Sequence, residues 1–179
     1  SIKSESLKLI KKEYPSIKIA QWFLDRMDTK WKNNKIRFLD KIQFMDYSFC
    51  IGSDHRGVRL KSFIYDYLVP MTDEEPVKFG ISVVIDEGPY DDKKSVDYPD
   101  IVNKVVNNLE YQDRGILICG SGHGVTMAAN RHKHIRAANC RTVKDVVMAR
   151  KHNDANVLCL GADYVNWGDV YEMVTAFFI

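Results

Sequence analysis

Cys119-Gly-Ser-Gly-His-Gly124 places a thiol between the apolar run Ile116-Leu117-Ile118 and the helix-like stretch Val125-Thr-Met-Ala-Ala-Asn130. A thiol therefore stands where a buried strand ends and a glycine-rich loop opens a helix. Glycines reach dihedrals closed to other residues and carry no side chain, so such a loop can turn several backbone N–H groups toward one anion. A candidate base beside an anion cradle suits proton transfer next to a carbonyl, where negative charge develops on oxygen. A tight strand-to-helix turn is the ordinary alternative. Three glycines within five residues favour the cradle. Two further clusters carry titratable groups: Gly52-Ser-Asp54-His55-Arg56-Gly57 and Arg150-Lys-His152-Asn153-Asp-Ala-Asn156. Taken singly, Asp54 reads as a helix N-cap and His152-Asn153 as a helix C-terminus with a favourable dipole contact.

These clusters need elements to hold them, and the chain supplies an alternating series. Short apolar runs predict strands over Tyr47–Ile51, Ile81–Ile85, Gly115–Cys119, Ile135–Cys140 and Val157–Leu160. Between and after them, helices are predicted near Val58–Val69, Pro99–Leu109, Val125–Arg131, Val143–His152 and Asp169–Phe178. Alternation of this kind argues for an α/β fold, a three-layer α/β/α sandwich around a five-stranded parallel, Rossmann-like sheet. In such sheets ligands bind beyond the carboxyl ends of the strands, near the switch in strand order. If the first and third strands are neighbours, the loops Gly52–Gly57 and Cys119–Gly124 share one crevice.

Ahead of this unit, residues 1–46 hold 11 basic and 6 acidic residues, against an overall net charge of +2. Ile19, Trp22, Phe23 and Met27 recur there at helical spacing, and Ile36, Leu39 and Ile42 repeat the pattern after Asn33-Asn34. The division expected is a helical basic extension over 1–46 and an α/β domain over 47–179. A basic segment can meet nucleic acid or an acidic partner, but a solvated helical face whose stripe packs on the main domain or on a partner subunit is the reading preferred. No run approaches the ~18 apolar residues of a membrane span, and no signal peptide is recognisable. The four cysteines lack CxxC or Cys/His metal spacing, which fits free thiols in a reducing cytoplasm. Ser1 in place of an initiator methionine points to a fragment.

Jointly, four segments resemble the type B ribose-5-phosphate isomerases and related galactose-6-phosphate isomerase subunits. They are Gly52–Gly57; Ser95-Val-Asp97-Tyr98-Pro99; Cys119–Gly124 with Ala128-Ala-Asn130; and Arg150–Asn156, in matching order over roughly residues 47–178. The resemblance implies interconversion of an aldose phosphate and its ketose through a cis-enediolate, without metal or organic cofactor. By this match Cys119 is the carbon base, Ser121 moves a proton between the two oxygens, and His152 with Asp54 opens the sugar ring. The same match makes His55 a phosphate contact, and Tyr98, Asn130 and Asn153 substrate contacts. Backbone groups of Gly120, Gly122, His123 and Gly124 would hold the enediolate. Some relatives use a glutamate where Val125 stands here, which leaves Cys119 as the base. Active sites between subunits are implied too, hence a homodimer or a dimer of dimers.

Two departures stand out. Leu160-Gly161-Ala162 leads into Asp163, where the family carries a phosphate-binding arginine, and the chain stops at Ala176-Phe-Phe-Ile179 instead of an arginine-bearing tail, which suggests truncation. Arg56, His123 and Arg141 are candidates to compensate. The expected partner is a small sugar phosphate, not nucleic acid or membrane. Ribose 5-phosphate heads the expectation. A six-carbon sugar phosphate, a catalytically silent sugar-phosphate-binding relative and a flavodoxin-like nucleotide module are the alternatives, the last lacking a G-x-G-x-x-G after the first strand.

Overall fold

The computed structural model describes residues 47–69, 81–110 and 113–178. The expected extension over 1–46, with its Trp22 and Leu39 stripes, lies outside the described residues. Five parallel strands form one sheet: β1 Tyr47–Ser53, β2 Ile81–Asp86, β3 Arg114–Cys119, β4 Ala137–Asn139 and β5 Val157–Gly161, in the order β2-β1-β3-β5-β4. Helices α1 Val58–Leu68, α2 Tyr98–Asn107, α3 His123–Ala129, α4 Val143–Asn153 and α5 Val170–Phe178 connect and follow them. The three-layer sandwich inferred from alternation is the fold observed.

Strand side chains alternate between two cores, which is why the strands read as unbroken apolar runs. Phe49, Ile51, Ile116, Ile118, Leu158 and Leu160 face one side, where Leu60 and Ile64 of α1, Val146 of α4 and Met173 and Phe177 of α5 cover them. Cys50, Leu117, Cys119, Val157 and Cys159 face the other, under Val102 and Val105 of α2 and Val125 and Ala129 of α3. Each fully buried aliphatic side chain contributes roughly 1.5–3 kcal/mol by leaving water. The helices in turn are started by local chemistry. Thr142 and Asp145 form a capping box at α4, and Pro99 sits in the first turn of α2.

Most elements differ from the sequence expectation by one or two residues at an end, and in two of them the local cause is plain. The third helix begins at His123 and ends at Ala129 instead of covering 125–131, because Gly122 adopts φ +78° and turns the chain into the helix early. The fourth strand forms only over Ala137–Asn139. Ile135 closes a turn onto His132 O at 3.0 Å, and the Arg136 N–H goes to Asn156 Oδ1 at 2.7 Å. Side-chain capture of backbone groups is not visible in hydrophobic periodicity.

One ion pair inside the fold has no apolar signature. Lys61, 1% exposed, gives its ammonium to both oxygens of Asp86 at 2.7 and 2.6 Å. Asp86 Oδ1 also accepts the Gly88 N–H at 2.8 Å, and Gly88 O takes the Ser53 N–H at 3.0 Å. The loop after β2 is thereby tied to the end of β1. Lys61→Met strands the carboxylate without its counter-ion and should destabilise the fold by about 3 kcal/mol or more. A urea midpoint equal to the parent's would contradict that role.

Candidate active site

Three loops meet at the carboxyl edge of the sheet, as adjacency of β1 and β3 requires. Ser53 pairs with Ile118 and Cys119 with Gly161 across the ladders. The Asp54 N–H donates to Ile118 O at 2.9 Å, the Ala162 N–H to Cys119 O at 2.9 Å, and the Asp163 N–H to Gly120 O at 3.0 Å. Backbone bonds thus join the loops after β1, β3 and β5 around Cys119. The expectation of one shared place for Gly52–Gly57 and Cys119–Gly124 is met.

Cys119 is the last residue of β3 and 5% exposed. The Gly122 N–H donates to its sulfur at 3.1 Å, which makes the sulfur an acceptor and holds it beside the loop. Only glycine suits position 122: φ is positive, and a Cβ would stand 2.4 Å from Asn139 Oδ1. Ser121 Oγ accepts the His123 N–H at 3.3 Å. Gly161 leaves room for the Ser121 backbone, whose carbonyl oxygen a Cβ would approach to 2.6 Å. Burial pushes the thiols of Cys50, Cys140 and Cys159 up to about 12. Below pH 10 those three are almost wholly protonated, and a thiol reacts through its thiolate. Iodoacetamide at pH 8 should therefore add one label per chain, at Cys119, and none to Cys119→Ser. Mass-spectrometric labelling at Cys50, Cys140 or Cys159 ahead of Cys119 would contradict this.

The loop after β1 brings Asp54, His55 and Arg56 to the same edge. Asp54 is buried, and its Oδ1 accepts the N–H groups of Arg56 and Gly57 at 2.9 and 3.1 Å. The helix itself is capped by Gly57 without any side-chain bond, so Asp54 braces the turn ahead of α1 instead of serving as the N-cap that its sequence context suggests. Its other oxygen has no protein donor among the described residues. His55 Nδ1 accepts the Val96 N–H at 3.4 Å, which leaves Nε2 as the N–H side of a neutral ring. Tyr98 arrives from the start of α2 and packs on the loop: a Cβ on Gly124 would lie 2.9 Å from its Cζ. Arg56 Nη2 donates to Asp163 Oδ2 at 2.5 Å. His123 turns toward β4, with Nδ1 2.9 Å from Asn139 Nδ2 and Nε2 3.4 Å from an Arg141 nitrogen. Arg141 in turn lies over the Tyr164 ring, 4.9 Å from its centroid.

Three expected residues are not at this edge of their own chain. His152 and Asn153 end α4, which runs back from β4 to the start of β5. They therefore lie at the amino edge, separated from Cys119 by the length of β5, ~13 Å. Both are exposed, beside the left-handed cap Asp154 (φ +45°). Asn130 follows α3 and is occupied: its amide donates to Ala137 O and accepts the Ala137 N–H, each at 2.9 Å. Asn130 staples α3 to β4 and is not placed among the residues around Cys119.

Sequence reasoning missed Asn139 and Thr126. Thr126 Oγ1 donates to Gly122 O at 2.6 Å, bracing the turn that aims the Gly122 N–H. A polar residue closing an apolar strand, as in Ala137-Ala138-Asn139, was the available signal for the first. Among the described residues no three His, Cys, Asp or Glu side chains gather as a metal site, and no helix is long and apolar enough to cross a membrane.

Comparison with known proteins agrees with this fold. Residues 49–179 match the family described as Ribose/Galactose Isomerase. Ribose-5-phosphate isomerase B of Escherichia coli is 38% identical over 116 residues, 64% of this chain and 71% of that protein. The solved structure of ribose 5-phosphate isomerase B from Anaplasma phagocytophilum superposes with a TM-score of 0.65 at 40% identity, covering 75% of this chain and 87% of that one. The Mycoplasma genitalium ribose-5-phosphate isomerase B, solved with bound ribulose-5-phosphate, gives 0.62 at 38% identity, with 74% and 84% covered.

Proposed function

The chain belongs to the ribose/galactose isomerase family, and from that premise we propose that it interconverts ribose 5-phosphate and ribulose 5-phosphate. Cys119 is the carbon base, and the observation that carries this reading is its sulfur at a strand end, receiving the Gly122 N–H beside a glycine loop. In the aldose-to-ketose direction Cys119 takes the proton from C2, and the C–H electrons become the C1=C2 bond of an enediolate. Charge then rests on O1. Amide N–H groups from Gly120 to Gly124 are the donors available to it, and one such donor is worth ~3 kcal/mol of barrier. The thiol returns its proton to C1. Ser121 carries the proton from O2 to O1, because a hydroxyl both donates and accepts.

Ring opening needs an acid and a base on opposite sides of the ring. Asp54 is at the carboxyl edge, while His152 and Asn153 of the same chain are not. A second copy supplies them. Supporting this, α4 buries only Val146 and leaves Val147 and Met148 44% and 46% exposed on the helix that ends in His152. We take the assembly to be a homodimer or a dimer of dimers with shared sites. Residues 47–179 form the isomerase domain, 1–46 an extension to it, and free thiols suit the cytoplasm.

The test is a coupled assay for ribulose 5-phosphate, run beside allose and galactose 6-phosphates. Turnover on the pentose phosphate with little on the hexose phosphates supports the assignment. The reverse order moves it to a six-carbon substrate.

A further inference from the structure

We propose that Arg56 is the contact for the phosphate of the substrate, and that Asp163 is the residue positioning it. This rests on the isomerase reading above, in which the substrate is a phosphate ester. The pair spans the loops after β1 and β5, and both side chains lie over Gly120. A Cβ at Gly120 would stand 2.7 Å from Arg56 Nε and 3.0 Å from both Arg56 Cδ and Asp163 Oδ2. The absent side chain at 120 is what admits the guanidinium there. Both residues are anchored through their backbones, Arg56 N–H to Asp54 Oδ1 at 2.9 Å and Asp163 N–H to Gly120 O at 3.0 Å.

A guanidinium is a planar fork of five N–H donors. Arg56 gives Nη2 to Asp163, and no other protein acceptor meets its fork among the described residues. The two side chains are 58% and 44% exposed, so the pair adds little to folding. Its effect is to fix a long side chain directly over the first residue after Cys119. An anion placed against Asp163 itself would be repelled. On the open flank of the guanidinium it meets several parallel donors, the geometry that suits a phosphate. The order is then carboxylate, guanidinium, phosphate, with the cation between two anions. His55, one residue earlier, presents its Nε2 from the same loop.

The experiment uses the full chain and two readouts: KM and kcat for ribose 5-phosphate, and the inorganic phosphate concentration that half-protects Cys119 from iodoacetamide. Arg56→Gln should raise both KM and the protecting concentration about tenfold, with kcat within about threefold and the thermal midpoint unmoved, as loss of a forked charge contact implies. Arg56→Lys should recover only part, since it keeps the charge without the fork. Asp163→Asn should raise both constants by about three- to fivefold, and Asp163→Glu should restore them, because a positioning carboxylate can be replaced by another. Unchanged constants in Arg56→Gln would overturn the assignment while leaving the isomerase reading intact. Lower constants in Asp163→Asn would overturn the positioning role, making Asp163 a competitor of the anion instead. Should the parent turn over no pentose phosphate, the protection readout still decides: protection lost with Arg56 upholds the seat, protection unaltered rejects it.

Discussion

Cys119→Ala lowers kcat for ribose 5-phosphate by about 10²–10⁴-fold, the range spanned by loss of a positioned proton-transfer group. KM changes little, because the amides of the loop and the groups around Arg56 remain. Cys119→Ser behaves almost as badly, since an alcohol at the end of β3 is a far weaker base than a thiol. The defect is specific to the carbon proton. Exchange of the C2 hydrogen for solvent deuterium, followed by nuclear magnetic resonance, falls in parallel with turnover. Ring opening depends on other residues and persists. Sulfur at 119 is small and almost buried, so both variants should keep the parent's thermal midpoint. Parent-level turnover in either variant would remove Cys119 from the mechanism.

Mixed subunits give the second large effect. His152→Ala and Cys119→Ala are each nearly inactive alone, yet a refolded equimolar mixture recovers about a quarter of parental activity, because half of randomly paired dimers are mixed and each of those holds one complete site. The proposal of sites shared between subunits requires this result. In one chain the sulfur sits at the carboxyl end of β3, and the imidazole sits before β5, at the opposite edge of the sheet. No side-chain rotation closes that gap. If the mixture shows only the sum of its inactive parts while sedimentation confirms mixed dimers, then His152 does not serve the partner's Cys119.

Much of this was legible in the sequence because burial leaves a periodic trace. Five apolar runs named the five strands, and the glycines around Ser121 announced the loop. What escaped notice was local polar capture. Asn156 takes the Arg136 N–H and delays β4, Gly122 in a left-handed conformation starts α3 early, and Lys61 reaches Asp86 from a helix face that reads as ordinary. The first and last depend on one side chain meeting a group far along the chain, and the Gly122 turn on the absence of a side chain where Asn139 stands, relations no window of neighbouring residues contains. Asn130 shows the converse. It lies within a matching motif, yet its amide is spent on Ala137. His152 and Asn153 were recognisable as chemistry, but the edge they occupy follows only from the direction of α4.

The bonds joining the three loops run between main-chain atoms, from Asp54 to Ile118, Ala162 to Cys119 and Asp163 to Gly120. Every non-proline amino acid supplies the same amide and carbonyl. The frame therefore tolerates exchange of what hangs from it: charges at 56 and 163 can be reversed, or new groups installed, without dismantling the hearth around the sulfur. A scaffold of this kind lends itself to retuning, and a library confined to those two positions is the economical route to changing which anionic group the place over Gly120 accepts.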